Sequence, residues 1–215
     1  MVVEATRDRR AERREATRSE ILAAAWDLAR TEGLAGLSLR DVARKIGMRP
    51  PSLYWYFDSK HAIYDAMFAQ GYRQLLARLA EREWPSEPRA LLRLVARVFV
   101  EFFVEDVQRY QLMNQRTIPN FEPSAETYAI ALRVFAEMRA RLATVGLSDP
   151  ASLDIWIALV SGVAAQQTAN EPGGDRWLRL IDEMVDIYAD HLISRQASPK
   201  IGGAVLNEVA HDSRH

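Results

Sequence analysis

Apolar positions recur along this chain at helical spacing almost from end to end. Ile21, Leu22, Ala25, Trp26, Leu28 and Ala29 mark one face of a segment over residues 18–32. Thr17 or Ser19 can cap its start and Gly33 can end it. Leu39, Val42, Ala43 and Ile46 then stand at i, i+3, i+4 and i+7. Ser38 precedes them, and its hydroxyl can accept an orphan backbone N–H. Gly47 falls where that short helix must stop, because glycine tolerates the left-handed conformation of a helix end. Pro50 and Pro51 lack an N–H that a first helical turn does not need. A second short helix is therefore predicted with Pro51 at its first position, carrying Ser52 to Phe57. Asp58 and Ser59 offer the cap for a long helix from Lys60 to about Glu83, with Ala62, Ile63, Ala66, Met67, Gly71 and Leu75 as its buried stripe.

The run Trp84-Pro85-Ser86-Glu87-Pro88 breaks this pattern. Further helices are predicted over residues 89–105, 106–118, 124–145, 149–169 and 175–195, parted by Pro/Gly-containing turns. No segment alternates strictly enough to read as a strand, so the predicted fold class is all-α. Residues 155–165 are apolar nearly all round, which implies burial on both sides.

Two short helices about a glycine turn have the layout of a DNA-reading helix-turn-helix. Leu53 and Phe57 lie four apart and should face inward. Ser52, Tyr54, Trp55 and Tyr56 are then left for the outer side, where hydroxyls suit phosphate oxygens and set position rather than sequence. Arg40 and Arg49 are the candidate base readers, since a guanidinium can bond both acceptors of a guanine edge. Pro50 and Pro51 can offer only apolar contact, for example to a thymine methyl. Lys60, at a helix N-terminus, favours an anion.

The run G-M-R-P-P-S-L-Y-W-Y-F-D-S-K, residues 47–60, resembles the signature of TetR-family transcriptional repressors. The resemblance is strong over about residues 17–67. It implies that Arg40, Arg49, Pro50, Pro51, Ser52, Tyr54, Trp55, Tyr56 and Lys60 line a DNA face. Ser38, which opens the helix carrying Arg40, is placed with this set. Arg49, Pro50 and Tyr56 depart from the family pattern, which leaves the operator sequence open. The resemblance further implies a larger C-terminal helical domain that binds a small molecule and dimerises through its last helix pair. Trp156, Trp177, Ile181, Met184, Tyr188 and Leu192 are the residues predicted for that interface, although such a stripe can also simply seal the protomer core. A two-fold dimer would read a palindromic operator.

For the effector site, Phe99, Phe102, Phe103, Tyr110, Met113, Phe121, Tyr128 and Phe135 are candidate apolar walls, with Gln166 and Asn170 as polar anchors. Apolar walls with few polar groups describe a ligand site, and they describe an ordinary core equally well. The expected organisation is a basic arm at 1–17, a helix-turn-helix domain at 18–60, an effector-binding and dimerisation domain at 61–195, and a mobile tail at 196–215.

Charge modifies this picture slightly. The 215 residues carry a net charge of −1, yet residues 1–60 hold 12 basic against 9 acidic side chains and residues 61–215 hold 16 against 20. A positive end suits docking on phosphates. Arg7, Arg9, Arg10, Arg13 and Arg14 are mixed with acids in the arm. They read either as a solvated, partly disordered tail or as an arm reaching phosphates or a minor groove. There is no cysteine, which is compatible with a reducing cytoplasm. No Ser–His–Asp set, metal-spaced cluster or phosphate-cradling glycine loop is present, so an enzyme is not expected and no cofactor is implied. The expected partners are operator DNA, a second copy of the chain and a small effector, with no membrane. The alternative is a ligand-independent DNA-binding architectural or adaptor protein.

Overall fold

The computed structural model describes residues 2–197, and side chains over 9–194. The tail predicted from 196 onward lies almost wholly outside the described residues. Helix α1 (Val2–Gly36) is followed by α2 (Leu39–Lys45), α3 (Pro50–Leu53), α4 (Lys60–Ala80), α5 (Pro88–Val104), α6 (Val107–Asn114), α7 (Ala125–Ala143), α8 (Pro150–Asn170) and α9 (Ile181–Ala197), with a 3₁₀ turn at Leu178–Leu180 before α9. The fold is all-α, as the hydrophobic spacing requires.

α1 is longer than predicted. It runs back through the segment read as an arm, because residues 9–20 are mostly Ala, Arg and Glu, strong helix formers, with no Gly or Pro. It breaks at Gly33, whose φ of +76° suits glycine. Side-chain caps set most of the other starts. Ser38 accepts from Asp41 N, Ser59 from Ala62 N, Glu87 from Arg89 N and Ala90 N, Asp106 from Gln108 N and Arg109 N, and Asp149 from Ser152 N.

One core runs through the molecule. Ile21, Ala25, Val42, Ala43, Leu53, Ile63, Tyr64 and Met67 are fully buried where α1–α3 meet α4. Trp26 is a core residue whose Nε1 donates to Gln70 Oε1 of α4 at 2.8 Å. Tyr64 donates its hydroxyl to Leu34 O, and burial pushes its phenol up to about 12. α4 thus serves as the common wall, with the helix-turn-helix on its first turns and α6 and α7 along the rest.

α9 is held on α5 by an ion-pair ladder. Arg89 pairs with Asp186 at 3.3 Å and with Asp190, Arg93 with Asp186 at 2.5 Å, and Arg97 with Asp182 at 2.8 Å. Four-residue spacing on both helices and their antiparallel course produce this register. Bonds from Arg93 and Arg89 hold the Asp186 carboxyl below its usual range, against a smaller opposing effect of desolvation. A depressed folded-state value means the contribution is present above the unfolded value and is lost as pH falls through the folded one. Asp186→Asn is therefore expected to lower Tm at pH 7 and to shrink the further loss of Tm between about pH 5 and pH 2. An unchanged acid limb in thermal unfolding would remove Asp186 from the ladder's pH dependence.

Candidate functional site

The helix-turn-helix is built as its residues dictate. Gly47 takes φ +66° at the end of α2, and Met48 N bonds Ala43 O at 2.8 Å to close the turn. α3 starts at Pro50, with Arg49 at its N-cap, one residue earlier than the predicted Pro51 start. It is also shorter than predicted. The helical pattern passes after Leu53 into a turn at Tyr54–Tyr56, though Tyr56 N and Phe57 N still bond Leu53 O at 2.9 and 3.0 Å. Leu53 and Phe57 are buried and fix this element to the core.

That anchoring turns a set of side chains outward. Arg40, Arg49, Pro50, Pro51 and Ser52 are exposed, Tyr54 is 53% exposed and Trp55 83%. Neither Arg40 nor Arg49 makes an ion pair with any described residue, whereas neighbouring Arg44 is paired with Asp41 and Lys45 with Asp27. A tryptophan this exposed on a rigid turn gains nothing from the core and is available to a partner.

Three residues predicted for this face stand differently. Ser38 is spent locally, its hydroxyl bonding Asp41 while it caps α2. Tyr56 is half-buried, packs against the core, and accepts a 2.8 Å bond from Arg18 Nη1 at its carbonyl. Lys60 donates to Ala35 O at 2.7 Å and lies 5.5 Å from the Tyr64 ring, and burial lowers its pKa. It braces the end of α1, beyond the Gly33 break, against α4, while Ser59 satisfies the helix start. Periodicity cannot show a brace from residue 60 to residue 35.

A second feature lies between α4, α5, α6, α7 and α8. It is an apolar cavity of about 120 Å³, lined by Tyr72, Val95, Phe99, Phe103, Tyr110, Phe135, Met138, Leu142, Leu153, Trp156, Ile157, Val160 and Ala164, with Asn114, Arg139 and Ser161 as its polar edge. Of the predicted walls, Phe99, Phe103, Tyr110 and Phe135 line it. The other candidates do not. Phe102 is buried under Arg109, whose guanidinium lies 3.7 Å from its ring centre. Met113 packs on Gly71, Phe121 meets Tyr64 edge to face at 5.6 Å, and Tyr128 is 48% exposed. Gln166 and Asn170 bond each other at 2.7 Å, away from the cavity. Trp156, predicted for the interface, is instead a cavity wall. Phe102 and Phe103 differ by one helical step of about 100°, which places neighbours in sequence on different sides.

The α8–α9 pair also needs correction. Trp156, Ile181 and Tyr188 are buried inside the protomer and cannot reach a second copy, and Leu192 and Trp177 are half-buried. The outward stripe is Ile155, Leu159 and Gly162 on α8, with Leu180, Met184 and Ile187 on α9 and the turn leading into it. Each set is spaced i, i+4, i+7, and Ile187 is 65% exposed. Of the six residues predicted for the interface, Met184 alone falls on this stripe.

The sequence pattern of the helix-turn-helix is a known one. The family described as bacterial regulatory proteins, tetR family, matches residues 21–67. Residues 21–67 are thus similar to the N-terminal region of the TetR family. The tetracycline repressor protein class A from transposon 1721 of Escherichia coli is 39% identical over 70 residues, which cover 33% of this chain and 29% of the relative. Matches to curated relatives span half of their length or less. Solved structures extend the likeness in fold to most of the chain. A TetR-family transcriptional regulator from Streptomyces coelicolor has a TM-score of 0.62 at 22% identity, covering 85% of this chain and 82% of its own. A single-substitution variant of TetR from Acinetobacter baumannii AYE, solved in complex with minocycline, has a TM-score of 0.53 at 19% identity, covering 83% and 97%. Among the described residues no helix is long and apolar enough to cross a membrane.

Proposed function

We propose that this chain is a cytoplasmic, dimeric transcriptional repressor that binds a palindromic operator through residues 18–60 and is released by a small, largely apolar effector held in residues 61–195. The observation that carries the reading is the outward set Arg40, Arg49, Ser52, Tyr54 and Trp55, held rigid by buried Leu53 and Phe57. Arg40 and Arg49 read bases, and Ser52 and Tyr54 hold phosphates. The dimer forms through the outward stripes of α8 and α9, where Ile155, Leu180 and Ile187 are exposed to solvent in a lone protomer.

The cavity supports the effector. Its volume of about 120 Å³ is somewhat below the roughly 150 Å³ engineered cavity that holds benzene, which suits a ligand of about one ring, and a larger ligand must move side chains such as Met138. A structural neighbour solved in complex with minocycline supports a small-molecule site in this fold. Burial raises the Tyr72 phenol above its usual range, and its hydroxyl donates to Met113 O at 3.4 Å at the cavity wall. A route to the DNA face runs through α4. Tyr72 lines the cavity, Asp65 grips α7, and Tyr64 and Lys60 hold the carbonyls of Leu34 and Ala35. An effector releases DNA only if it prefers one arrangement of α4 over the other.

The test is enrichment of duplexes from a random-sequence library by the full-length chain, then titration of the enriched duplex and a scrambled one. Arg49→Ala is expected to weaken the enriched duplex by about 5- to 160-fold, equivalent to the roughly 1–3 kcal/mol of a bidentate base contact, with little effect on the scrambled one. Equal losses on both would make Arg49 a phosphate contact. No enrichment at low salt would remove the DNA-binding reading.

A further inference from the structure

The first turns of α1 lie outside the matched family region, which begins at residue 21. They are nevertheless helical, continuous with the helix that supports the helix-turn-helix. Arg10, Arg13, Arg14 and Thr17 stand at i, i+3, i+4 and i+7 and so share one face, while Glu12 and Glu15 stand on the opposite side. A charge mixture that looks neutral in composition is thus sorted by the helix into a basic stripe and an acidic back.

The stripe is aimed. Arg10, Arg13, Arg14 and Thr17 line one surface groove together with Ser52, Trp55 and Tyr56 of the recognition element. The base of the arm is locked there by Arg18, whose Nη1 donates to Tyr56 O at 2.8 Å and whose guanidinium lies 4.3 Å from the Phe57 ring centre. The three arginines make no ion pair with any described residue, in contrast to Arg30, Arg78, Arg89, Arg93 and Arg97. The helical stretch from Val2 to Thr17 extends roughly 24 Å at about 1.5 Å per residue, about two-thirds of a DNA turn.

We propose that this helical arm is a second DNA-contacting element, in which Arg10, Arg13 and Arg14 bind backbone phosphates flanking the major-groove site. The inference rests on the DNA-binding reading above and adds a contact surface to it. A guanidinium stripe without base-edge geometry supplies affinity and salt dependence but not sequence choice. Trp55, at the groove between arm and recognition turn, lies where the backbone must pass.

The experiment compares the full-length chain with Arg10→Ala/Arg13→Ala/Arg14→Ala, a lysine triple at the same positions, and Glu12→Gln/Glu15→Gln. Each is titrated against the library-enriched duplex and a scrambled duplex of equal length over a range of salt. Three lost phosphate contacts per protomer, six in the dimer, are expected to reduce the slope of log K against log [salt] by about 5 on both duplexes. The lysine triple keeps most of the slope and the glutamine pair does not reduce it. Protection from hydroxyl radicals shrinks only at the outer ends of the footprint in the alanine triple. If the wild-type chain binds neither duplex, the DNA-binding reading itself fails. If it binds and the alanine triple keeps the full slope and footprint, the arm assignment alone is overturned. Thermal unfolding of the alanine triple, expected to match wild type because these side chains are exposed, separates loss of contact from loss of fold.

Discussion

Ile187→Glu is expected to convert the protein from dimers to monomers at micromolar concentration and to lower affinity for its operator by about 10²- to 10⁴-fold. The residue is 65% exposed on α9, with Met184 and Leu180 on the same stripe and Ile155, Leu159 and Gly162 on the stripe of α8. α8 is apolar on both sides: Leu153, Trp156, Val160 and Ala164 face the protomer interior, while Ile155 on the outer stripe is exposed. A two-fold contact uses the same patch on both copies, so one substitution places two carboxylates in the interface. Burying them without partners costs more than such an interface can offset. DNA affinity falls because each half-site then binds alone. Ile193→Glu is the control, since Ile193 is 58% exposed but lies further along α9, rotated by about 120° from that stripe. Light scattering after size-exclusion chromatography, with titration of the enriched duplex, reads both effects. A dimeric Ile187→Glu protein would place the interface elsewhere.

Much of this architecture is visible in the sequence because it is governed by local rules. Ser38 and Ser59 cap the helices they precede, Gly47 is left-handed, and Leu53 and Phe57 point inward, each decided by residues close by in the chain. What depends on distant neighbours is not visible. Lys60 looks like a phosphate ligand until Ala35 O is found 2.7 Å away. Helices α8 and α9 carry apolar residues on two sides, so spacing alone marks two stripes without saying which one the protomer keeps. The stripe through Ile181 and Tyr188, which the family resemblance assigned to an interface, is core. The polar run at the end of α8 reads as a ligand anchor. In fact Gln167 is buried and bonds Glu171 O and, at 2.9 Å, Trp177 N, which ties the turn into α9. The helicity of the arm is legible in its composition, but its mixed charges suggest a solvated tail. Only the helix phase separates arginine from glutamate there.

Asp65→Ala is expected to destabilise the protein by about 2–4 kcal/mol and to uncouple α7 from the helix-turn-helix. One carboxylate on α4 accepts Ser124 N at 2.7 Å, Ser124 Oγ at 2.9 Å and Thr127 Oγ1 at 2.5 Å. Bonds to a charged group contribute about 1.5–3 kcal/mol each, and less than additively when they share an acceptor. Thr127 is buried, so its hydroxyl is left without this acceptor when the carboxylate goes. The same bonds seat the loop before α7. Phe121 lies 6.0 Å from His61 and 5.6 Å from Tyr64, on the turns of α4 that hold Leu34 O and Ala35 O. At its other end α7 supplies Phe135, Met138 and Leu142 to the cavity. α7 is therefore a lever between the cavity and the first turns of α4, and Asp65 is where it is pinned. Urea unfolding should show the lost stability. Hydrogen exchange should quicken at residues 121–130 while residues 39–57 keep their protection. Affinity for the enriched duplex should stay within about threefold of wild type, because the DNA face is untouched. Asp65→Asn retains an acceptor oxygen and should recover part of the stability. If Asp65→Ala cost less than about 0.5 kcal/mol and left exchange at the start of α7 unchanged, the pin would lie elsewhere, and the aromatic contact of Phe121 with Tyr64 would be the remaining link.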